Sequence, residues 1–475
     1  MLLPIVACCL LFGGCSAGRS SLLGGQAALP LTQPMARPAS GSPGQYISHI
    51  VVIVQENRSF ENFFAGYPNA NAPMSGCAIP QKTHGTRAPN VARASGLRRR
   101  SSSSGCPPGD VSIPLQKISF AGPDLAHSYG PAIHDYDKGK MDGFSKYGNR
   151  GPYEAYSYVD PSLIGPYMTI AQQYVLADAM FPTEFGGSFT GHLTLVAGND
   201  AIKQNPSESE VDFPNGLYDD CDSPPGTKSS YLTADDSEHF YAGPFPCFDQ
   251  FSTIANALDK GGVSWKFYAT KQLNDGMWEP FEAIKYTRYG QDWKNIIAPQ
   301  TKFLSDAGNG GLATVNWVTP SKEDSDHPKY RSDQGPSWVA SVVNAVGESS
   351  YWSTSAIIIL WDDWGGWYDN AAPPHLDYRG LGIRVPCLII SPYAKQGFVD
   401  HAQYEYGSIL RFIEHVNNLQ PIGPRSEGYT DTRATSLENA FDFTQKPRPF
   451  TAIPSKYPLA HFLHEPRSND PIDYE

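Results

Sequence analysis

The sequence predicts an α/β fold with a mainly parallel central sheet, helices on both faces and long loop insertions. Hydrophobic residues make up 40% of the 475 residues and charged residues only 18%, which is the composition of a globular protein with a large core. Apolar, β-branched runs alternate along the chain with segments of helical pattern, and this alternation is typical of a parallel sheet. The 44 glycines and 41 prolines indicate long structured loops between these elements.

Four runs have the pattern of strands buried on both faces, and three segments have a helical pattern. The predicted strands cover residues 49–54, 174–181, 355–361 and 385–391, and the predicted helices cover residues 251–260, 337–346 and 406–417. Residues 66–120 and 200–245 lack an apolar period, so we interpret them as insertions in a single domain that spans residues 46–475. Residues 98–104, RRRSSSS, are predicted to form a mobile tip.

The amino-terminal segment has the features of an export signal. Residues 1–15 are apolar and end in small residues before Cys15, as in the hydrophobic and cleavage regions of a signal peptide. Residues 11–15 also resemble the lipobox at which bacterial lipoproteins are cleaved and lipidated. Two alternatives follow, a lipid anchor at Cys15 or simple secretion. Residues 16–45, rich in Ser, Gly, Pro and Ala, are predicted to form a flexible tether.

The cysteines after the signal are consistent with an oxidising compartment. Cys77 with Cys106 and Cys221 with Cys247 each flank Gly-, Ser- and Pro-rich sequence that has little core of its own, so each pair is predicted to form a disulfide. Cys387 lies inside an apolar run and is predicted to be a buried free thiol.

The charge of the chain restricts its partners. Acidic residues exceed basic ones by 48 to 36, giving a net charge of −12, which argues against sequence-independent binding to nucleic acid. Contact with a membrane is expected only through a lipid anchor at Cys15, if that cysteine is lipidated.

Polar side chains follow two of the predicted strands. Glu56 and Asn57 follow the first strand after Gln55, and Asp362 with Asp363 follows the third. Each of these residues alone would be an ordinary strand-end residue or helix cap. However, the carboxyl ends of parallel strands meet at one edge of a sheet, where three carboxylates without a cation would repel one another. The sequence therefore predicts a site for a divalent cation, whose identity stays open.

Ser188 follows the second strand, in the segment EFGGSFTGHLTLVAG. The two glycines before it permit a tight turn into a helix, whose first amides can face an anion. One interpretation makes Ser188 only the N-cap of that helix. The other makes it a nucleophile activated by the nearby cation, without the GxSxG turn of the α/β-hydrolases.

Two histidines are candidates for the same site. Turn and polar residues flank His127, His134 and His327, so a surface position is the ordinary interpretation of each. A phosphoryl substrate, however, requires donors on its oxygens and a proton source for its leaving group. This requirement favours His127 and His327 as active-site residues.

Five segments in this order resemble the bacterial phosphoesterase family that contains the non-haemolytic phospholipases C and the secreted acid phosphatases. They are HIVVIVQENRSFENFFAGYP, DLAHSYGPAIHDYDKGKMDGF, FGGSFTGHLTLVAG, SDHP and IIILWDDWGGWYDNAAPP. The resemblance implies an alkaline-phosphatase-like core and metal-assisted hydrolysis of phosphate esters through a phosphoseryl-type intermediate. It implies metal ligands at Glu56, Asn57, Asp362 and Asp363, a nucleophile that also neighbours the metal at Ser188, and active-site histidines at His127 and His327.

The chain departs from the family pattern near the expected substrate pocket. The usual Asp-Glu-His-Gly-Gly reads Asp-Asp-Trp-Gly-Gly at residues 362–366, the usual Pro-Asn after the nucleophile is Thr190-Gly191, and Asn370 replaces a common histidine. Because the chain ends at Glu475, without the further domains of the larger phospholipases C, we expect an acid-phosphatase-like enzyme. A phospholipase C or other phosphodiesterase is the first alternative. A non-catalytic lipoprotein that binds a metal or ligand on the same fold is the second.

Overall fold

The computed structural model describes residues 41–81, 105–147, 151, 153–202, 207–274, 276–330 and 333–466. The chain divides into two units, residues 1–36 and residues 37–475, and all described residues belong to the second. The predicted signal peptide, Cys15, most of the predicted tether and the predicted tip at 98–104 lie outside the described residues.

A nine-stranded central sheet organises the second unit. The strands of the described residues are β1 (His49–Gln55), β2 (Ser75–Ala78), β3 (Val111–Pro114), β4 (Gln116–Ile118), β5 (Ser157–Val159), β6 (Val175–Phe181), β7 (Glu208–Val211), β8 (Ser230–Thr233), β9 (Glu238–His239), β10 (Trp265–Tyr268), β11 (Ile296–Ile297), β12 (Val315–Val318), β13 (Ser355–Trp361), β14 (Val385–Ile390), β15 (Phe398–Asp400) and β16 (Tyr404–Glu405). The order in the central sheet is β11-β10-β12-β1-β13-β14-β6-β15, with β16 also paired to β6.

The sheet is mainly parallel, as predicted. β1 pairs in parallel with β12 and β13, and β6 pairs in parallel with β15 and β16. β14 is the exception, because it runs antiparallel to both β13 and β6. The apolar pattern of residues 385–391 predicted a buried strand correctly, but a strand buried on both faces has the same pattern in either orientation.

The central strands are buried because their side chains are apolar on both faces. Every residue of β13 and β14 is buried, and the interior residues of β1, such as Val52 and Ile53, have no exposed surface. All four predicted strands are present within one residue of their predicted bounds. β10 and β12 were not predicted, because strands of four residues each are too short for an apolar period to be recognised.

The helices of the described residues are α1 (Phe60–Phe64), α2 (Tyr129–Tyr136), α3 (Gly165–Gln173), α4 (Ser188–Ala197), α5 (Ile254–Gly261), α6 (Lys285–Arg288), α7 (Lys302–Asn309), α8 (Gly335–Gly347), α9 (Tyr406–Asn417) and α10 (Leu459–Leu463). The three predicted helices correspond to α5, α8 and α9. The start of α5 was placed too early, because a capping box of Thr253 and Asn256 begins the helix at Ile254.

The strands within the two predicted insertions pair outside the central sheet, and one of them, β4, pairs with a strand beyond its insertion. β2 pairs with β3, β4 pairs with β5, and β7, β8 and β9 form a three-stranded sheet. Both predicted disulfides are present, Cys77–Cys106 and Cys221–Cys247, and Cys387 is a buried free thiol, as predicted. The disulfides indicate an oxidising compartment. Among the described residues, no helix has the length and apolar character needed to cross a bilayer.

Candidate active site

The site begins where β1 and β13 end side by side. The two strands are parallel and in register, with Gln55 opposite Trp361, so the residues that follow them are neighbours. The backbone amide of Asp362 donates to the Gln55 carbonyl oxygen at 2.9 Å, and the backbone amide of Asn57 donates to Asp362 Oδ1, also at 2.9 Å. The structure thus brings the four strand-end residues together, as the sequence predicted.

These strand-end residues are enclosed by protein. Glu56, Asn57, Asp362 and Asp363 are each 0% exposed. Asp362 Oδ2 is buried and receives no hydrogen bond from any residue within the described ranges. Three buried carboxylates at one point require a positive charge or shared protons, because burial penalises the ionised form. Carboxylate and amide oxygens are the donors that hard divalent cations prefer, so the residues present fit such a cation.

Tyr406, the first residue of α9, supports the end of β13. Its hydroxyl donates to the carbonyl oxygens of Trp361 and Asp362, at 2.6 Å to each. Burial and the neighbouring carboxylates, Asp362 foremost, raise the pKa of Tyr406 well above its ordinary value. The tyrosine therefore stays a neutral donor that fixes the backbone of the strand end.

Ser188 is the first residue of α4, and Gly187 occupies the N-cap position. The Ser188 hydroxyl donates to Asp363 Oδ2 at 3.1 Å, and the side chain is 0% exposed. The geometry thus differs from the N-cap interpretation and places the hydroxyl against the carboxylates, at a helix N-terminus.

Two glycines allow the backbones of the site to approach closely. A Cβ atom at Gly191 would lie 2.6 Å from the Asp362 carbonyl oxygen, so α4 could not pack against the end of β13 with a larger residue at this position. At Gly365 a Cβ atom would lie 2.2 Å from the Asn57 carbonyl oxygen, and φ is +62°, a conformation that favours glycine.

His192 is a site residue that the sequence analysis missed. Its Nε2 lies 2.9 Å from Glu56 Oε1 and 3.8 Å from Asp362 Oδ2. These three side chains form one of two groups in the described residues that could hold a metal ion. The signal was present in the sequence, because residues four apart on a helix share a face and His192 follows Ser188 by four.

His127 contacts the amide of the strand end. Its Nε2 lies 2.7 Å from Asn57 Nδ2, and its Nδ1 contacts the carbonyl oxygen of Leu125. A carbonyl can only accept, so Nδ1 carries the proton and Nε2 accepts from the Asn57 amide. The ring of Trp364, which replaces the family's histidine, lies edge-on with its centroid 6.3 Å from that of His127.

His327 lies beside His127, with ring centroids 6.2 Å apart. The Lys329 amide donates to His327 Nδ1 at 3.2 Å, so the neutral ring carries its proton at Nε2. Asp124 completes the second group that could hold a metal ion; it was not predicted, although it precedes His127 by only three residues. His134 instead lies near Asp135 and Tyr147.

A buried arginine connects these segments. Arg58 is 0% exposed and donates through Nε and Nη2 to the Asp326 carbonyl, at 2.9 and 2.8 Å, and through Nη2 to the Phe120 carbonyl at 2.9 Å. Burial lowers the pKa of Arg58 to about 10, and the Asp326 carboxylate opposes that shift. Burial likewise raises the pKa of Asp326 to about 7, against hydrogen bonding by Tyr167 and the charge of Arg58.

Comparisons with known proteins identify the family of the chain. "Phospholipase C B" of Mycobacterium tuberculosis is 24% identical over 485 residues, covering 89% of this chain and 83% of that protein. "Non-hemolytic phospholipase C" of Burkholderia pseudomallei is 23% identical over 499 residues, which cover 90% of this chain and 65% of that protein. The solved structure of an alkaline phosphatase superfamily protein from Vibrio parahaemolyticus is 13% identical, with a TM-score of 0.34. The match covers 69% of this chain and 70% of that one. The sequence profile of the Phosphoesterase family matches residues 47–420, so the chain belongs to that family and is a phosphoric ester hydrolase.

Proposed function

We propose that the chain hydrolyses phosphate esters through a serine nucleophile beside a divalent cation. The observation that supports this proposal is the hydrogen bond of 3.1 Å from Ser188 Oγ to Asp363 Oδ2, inside a group of buried carboxylates. Glu56, Asn57, Asp362, Asp363 and Ser188 would hold the cation. When bound, such a cation supplies positive charge that favours the ionised hydroxyl and offsets the charge of the phosphate.

Ser188 would act first. Asp363 orients the hydroxyl, and Ser188 Oγ forms a bond to phosphorus while the bond from phosphorus to the ester oxygen breaks. The alcohol leaves with a proton, and water then cleaves the phosphoseryl bond to release phosphate and restore the hydroxyl. The first amides of α4 offer donors to the phosphate oxygens during both steps.

The two histidines would have different tasks. His327 carries its proton at Nε2 when neutral, because Nδ1 accepts from the Lys329 amide. It can therefore donate that proton to the leaving oxygen, and the proton that Ser188 loses would return to the ring and restore the neutral imidazole. His127 is held by the Leu125 carbonyl with Nε2 against the Asn57 amide, and it orients that amide oxygen within the site. Both are catalytic candidates, since His127 lies against Asn57 and His327 lies beside His127.

For the substrate, we favour phosphate monoesters, as in an acid phosphatase. All the proposed site residues are nearly or fully buried, with His127 the most exposed at 6%. A monoester carries a substituent on only one of its phosphate oxygens, so it demands less space around phosphorus than a diester does. A phospholipase C is the second candidate, because both relatives named above are phospholipases C.

A substrate panel on one enzyme preparation tests these proposals. We expect faster release of phosphate from a small alkyl phosphate than release of diacylglycerol from phosphatidylcholine vesicles. Comparable or faster release of diacylglycerol would overturn the monoester assignment and favour the phospholipase C. Stoichiometric metal without turnover of any phosphate ester would overturn the catalytic proposal and leave the binding lipoprotein.

A further inference from the structure

We propose that His192 is a positioning residue that holds the Glu56 carboxylate in place for the cation. The inference rests on the proposed function, because it assumes that Glu56 binds a divalent cation. His192 lies on α4, the helix that begins with Ser188, and contacts Glu56, which follows β1.

The geometry favours action through Glu56. The 2.9 Å separation of His192 Nε2 and Glu56 Oε1 is a hydrogen bond, whereas Asp362 Oδ2, at 3.8 Å, is beyond hydrogen-bond distance. A metal bound through Nε2 would replace the hydrogen bond to Glu56, so the 2.9 Å contact favours a donor role for His192 over direct ligation.

The surroundings make this donor rigid. His192 is 1% exposed and Glu56 is 0% exposed, so water cannot replace the hydrogen bond without a change in packing. Four residues of helix separate His192 from Ser188, which is a rise of about 6 Å. Because the close approach at Gly191 fixes α4 against β13, one helix sets both the nucleophile and the orientation of Glu56.

Loss of this hydrogen bond is expected to weaken metal binding. Partners that orient metal ligands typically contribute about 10–100-fold to metal affinity. His192→Ala should therefore lower the affinity by that factor. His192→Gln keeps a donor nitrogen at a similar distance from the backbone, so its affinity should stay within about 3-fold of the original protein, by the same reasoning.

The experiment titrates Mn²⁺ into chelator-treated protein by calorimetry, for the original protein, His192→Ala and His192→Gln. Leu193→Ala is the matched control, because Leu193 is fully buried on the same helix and its truncation lowers stability through packing alone. We expect weaker binding in His192→Ala, recovery in His192→Gln and unchanged affinity in Leu193→Ala. Equal affinities in all four proteins would overturn the inference while the proposed function stands.

Two further outcomes keep the inference testable. If His192→Ala does not fold, the X-ray absorption spectra of the original protein and of His192→Gln, both loaded with Mn²⁺, decide whether His192 is a ligand or a positioning residue. An imidazole nitrogen that disappears from the metal shell in His192→Gln would make His192 a ligand and overturn the positioning role, whereas an unchanged shell supports it. If the original protein binds no Mn²⁺ and stays active after chelation, the proposed cation and this inference fail together.

Discussion

The two sides of the site are held by different kinds of structure. The carboxylate side, Glu56, Asn57, Asp362 and Asp363, follows two paired central strands, and the ladder between β1 and β13 fixes its residues. The histidine side, His127 and His327, lies in loops, where the His127 ring contacts the Leu125 carbonyl and the Asn57 side chain and His327 Nδ1 accepts from the Lys329 amide. A sheet register tolerates little change, whereas loops vary easily. The proposed cation would thus be placed by the sheet, and the proposed histidine contacts to the substrate would be placed by loops.

Arg58 links the two sides. It follows Asn57 directly and donates to carbonyl oxygens of Phe120 and Asp326 in the loops. Its guanidinium also lies 5.1–5.6 Å from the ring centroids of Phe63, Phe120 and Trp367. The buried guanidinium of Arg58 and the contact between His127 and Asn57 thus connect the two sides. Because the sides are held by different structure, we expect changes on either side to have separable effects.

The largest effect is expected at Ser188, where both sides meet the substrate. Ser188→Ala removes the attacking oxygen, so the rate should fall by several orders of magnitude while the melting temperature stays nearly unchanged. Thr194→Ala, which removes a hydroxyl from the same helix six residues further on, should retain activity and serves as the control. Steady-state assays with thermal unfolding measure both. Near-normal activity in Ser188→Ala would contradict the proposed mechanism.

The next largest effect is expected on the carboxylate side. Glu56→Ala, Asp362→Ala and Asp363→Ala should each lower metal affinity and activity by more than about 100-fold, since partners outside the metal shell alone contribute about 10–100-fold. Exhaustive chelation should abolish turnover, and added metal should restore it. The measurement is metal content by elemental analysis alongside activity. Full activity in metal-free protein would show that the carboxylates have another purpose.

Some features of the sheet and of the carboxylate side could be predicted from the sequence, and others could not. The positions of Glu56 and Asp362 were predictable because a buried strand is a local pattern and its end is visible in the chain. The orientation of β14 was not, because a strand buried on both faces has the same pattern in both directions.

Contacts across long sequence separations were the main failure. His192 lies 136 residues from Glu56, and nothing in the local pattern pairs them, although its helical spacing from Ser188 was visible. Arg58 contacts loops at Phe120 and Asp326, 62 and 268 residues away, and Asp124 meets His327 only through the fold. Such loops are fixed by tertiary packing, which periodicity does not reveal.

A smaller effect is expected on the histidine side. His327→Gln should lower kcat for an alkyl phosphate by about 10²–10⁴-fold, because the leaving alkoxide then lacks a proton donor. The loss should be much smaller with 4-nitrophenyl phosphate, whose leaving group needs no proton. Metal affinity should not change, and this sets the variant apart from those of the carboxylate side. An equal loss with both substrates would argue against proton donation by His327.

A moderate effect on kcat and stability is expected from a change at Arg58, which links the two sides. Arg58→Lys keeps the charge but loses the planar fork that reaches two loops, so kcat should fall by about 10-fold and stability by about 1–3 kcal/mol. Mn²⁺ affinity should stay unchanged, because the carboxylate side is held by the sheet. Calorimetry and denaturant unfolding on the same preparations test this separation. A parallel loss of metal affinity would show that the two sides form one unit.

The smallest effect on catalysis is expected at Cys15, which lies outside the described residues. If Cys15 is lipidated, residues 16–45 hold the enzyme near a membrane without contributing to the chemistry, and stable anchoring requires more than one acyl chain. Cys15→Ser should then move the protein from the membrane fraction to the soluble fraction with unchanged specific activity. Fractionation and the amino-terminal sequence of the mature protein measure this. An original protein that is already soluble, with a mature terminus at another residue, would leave simple secretion as the route of export.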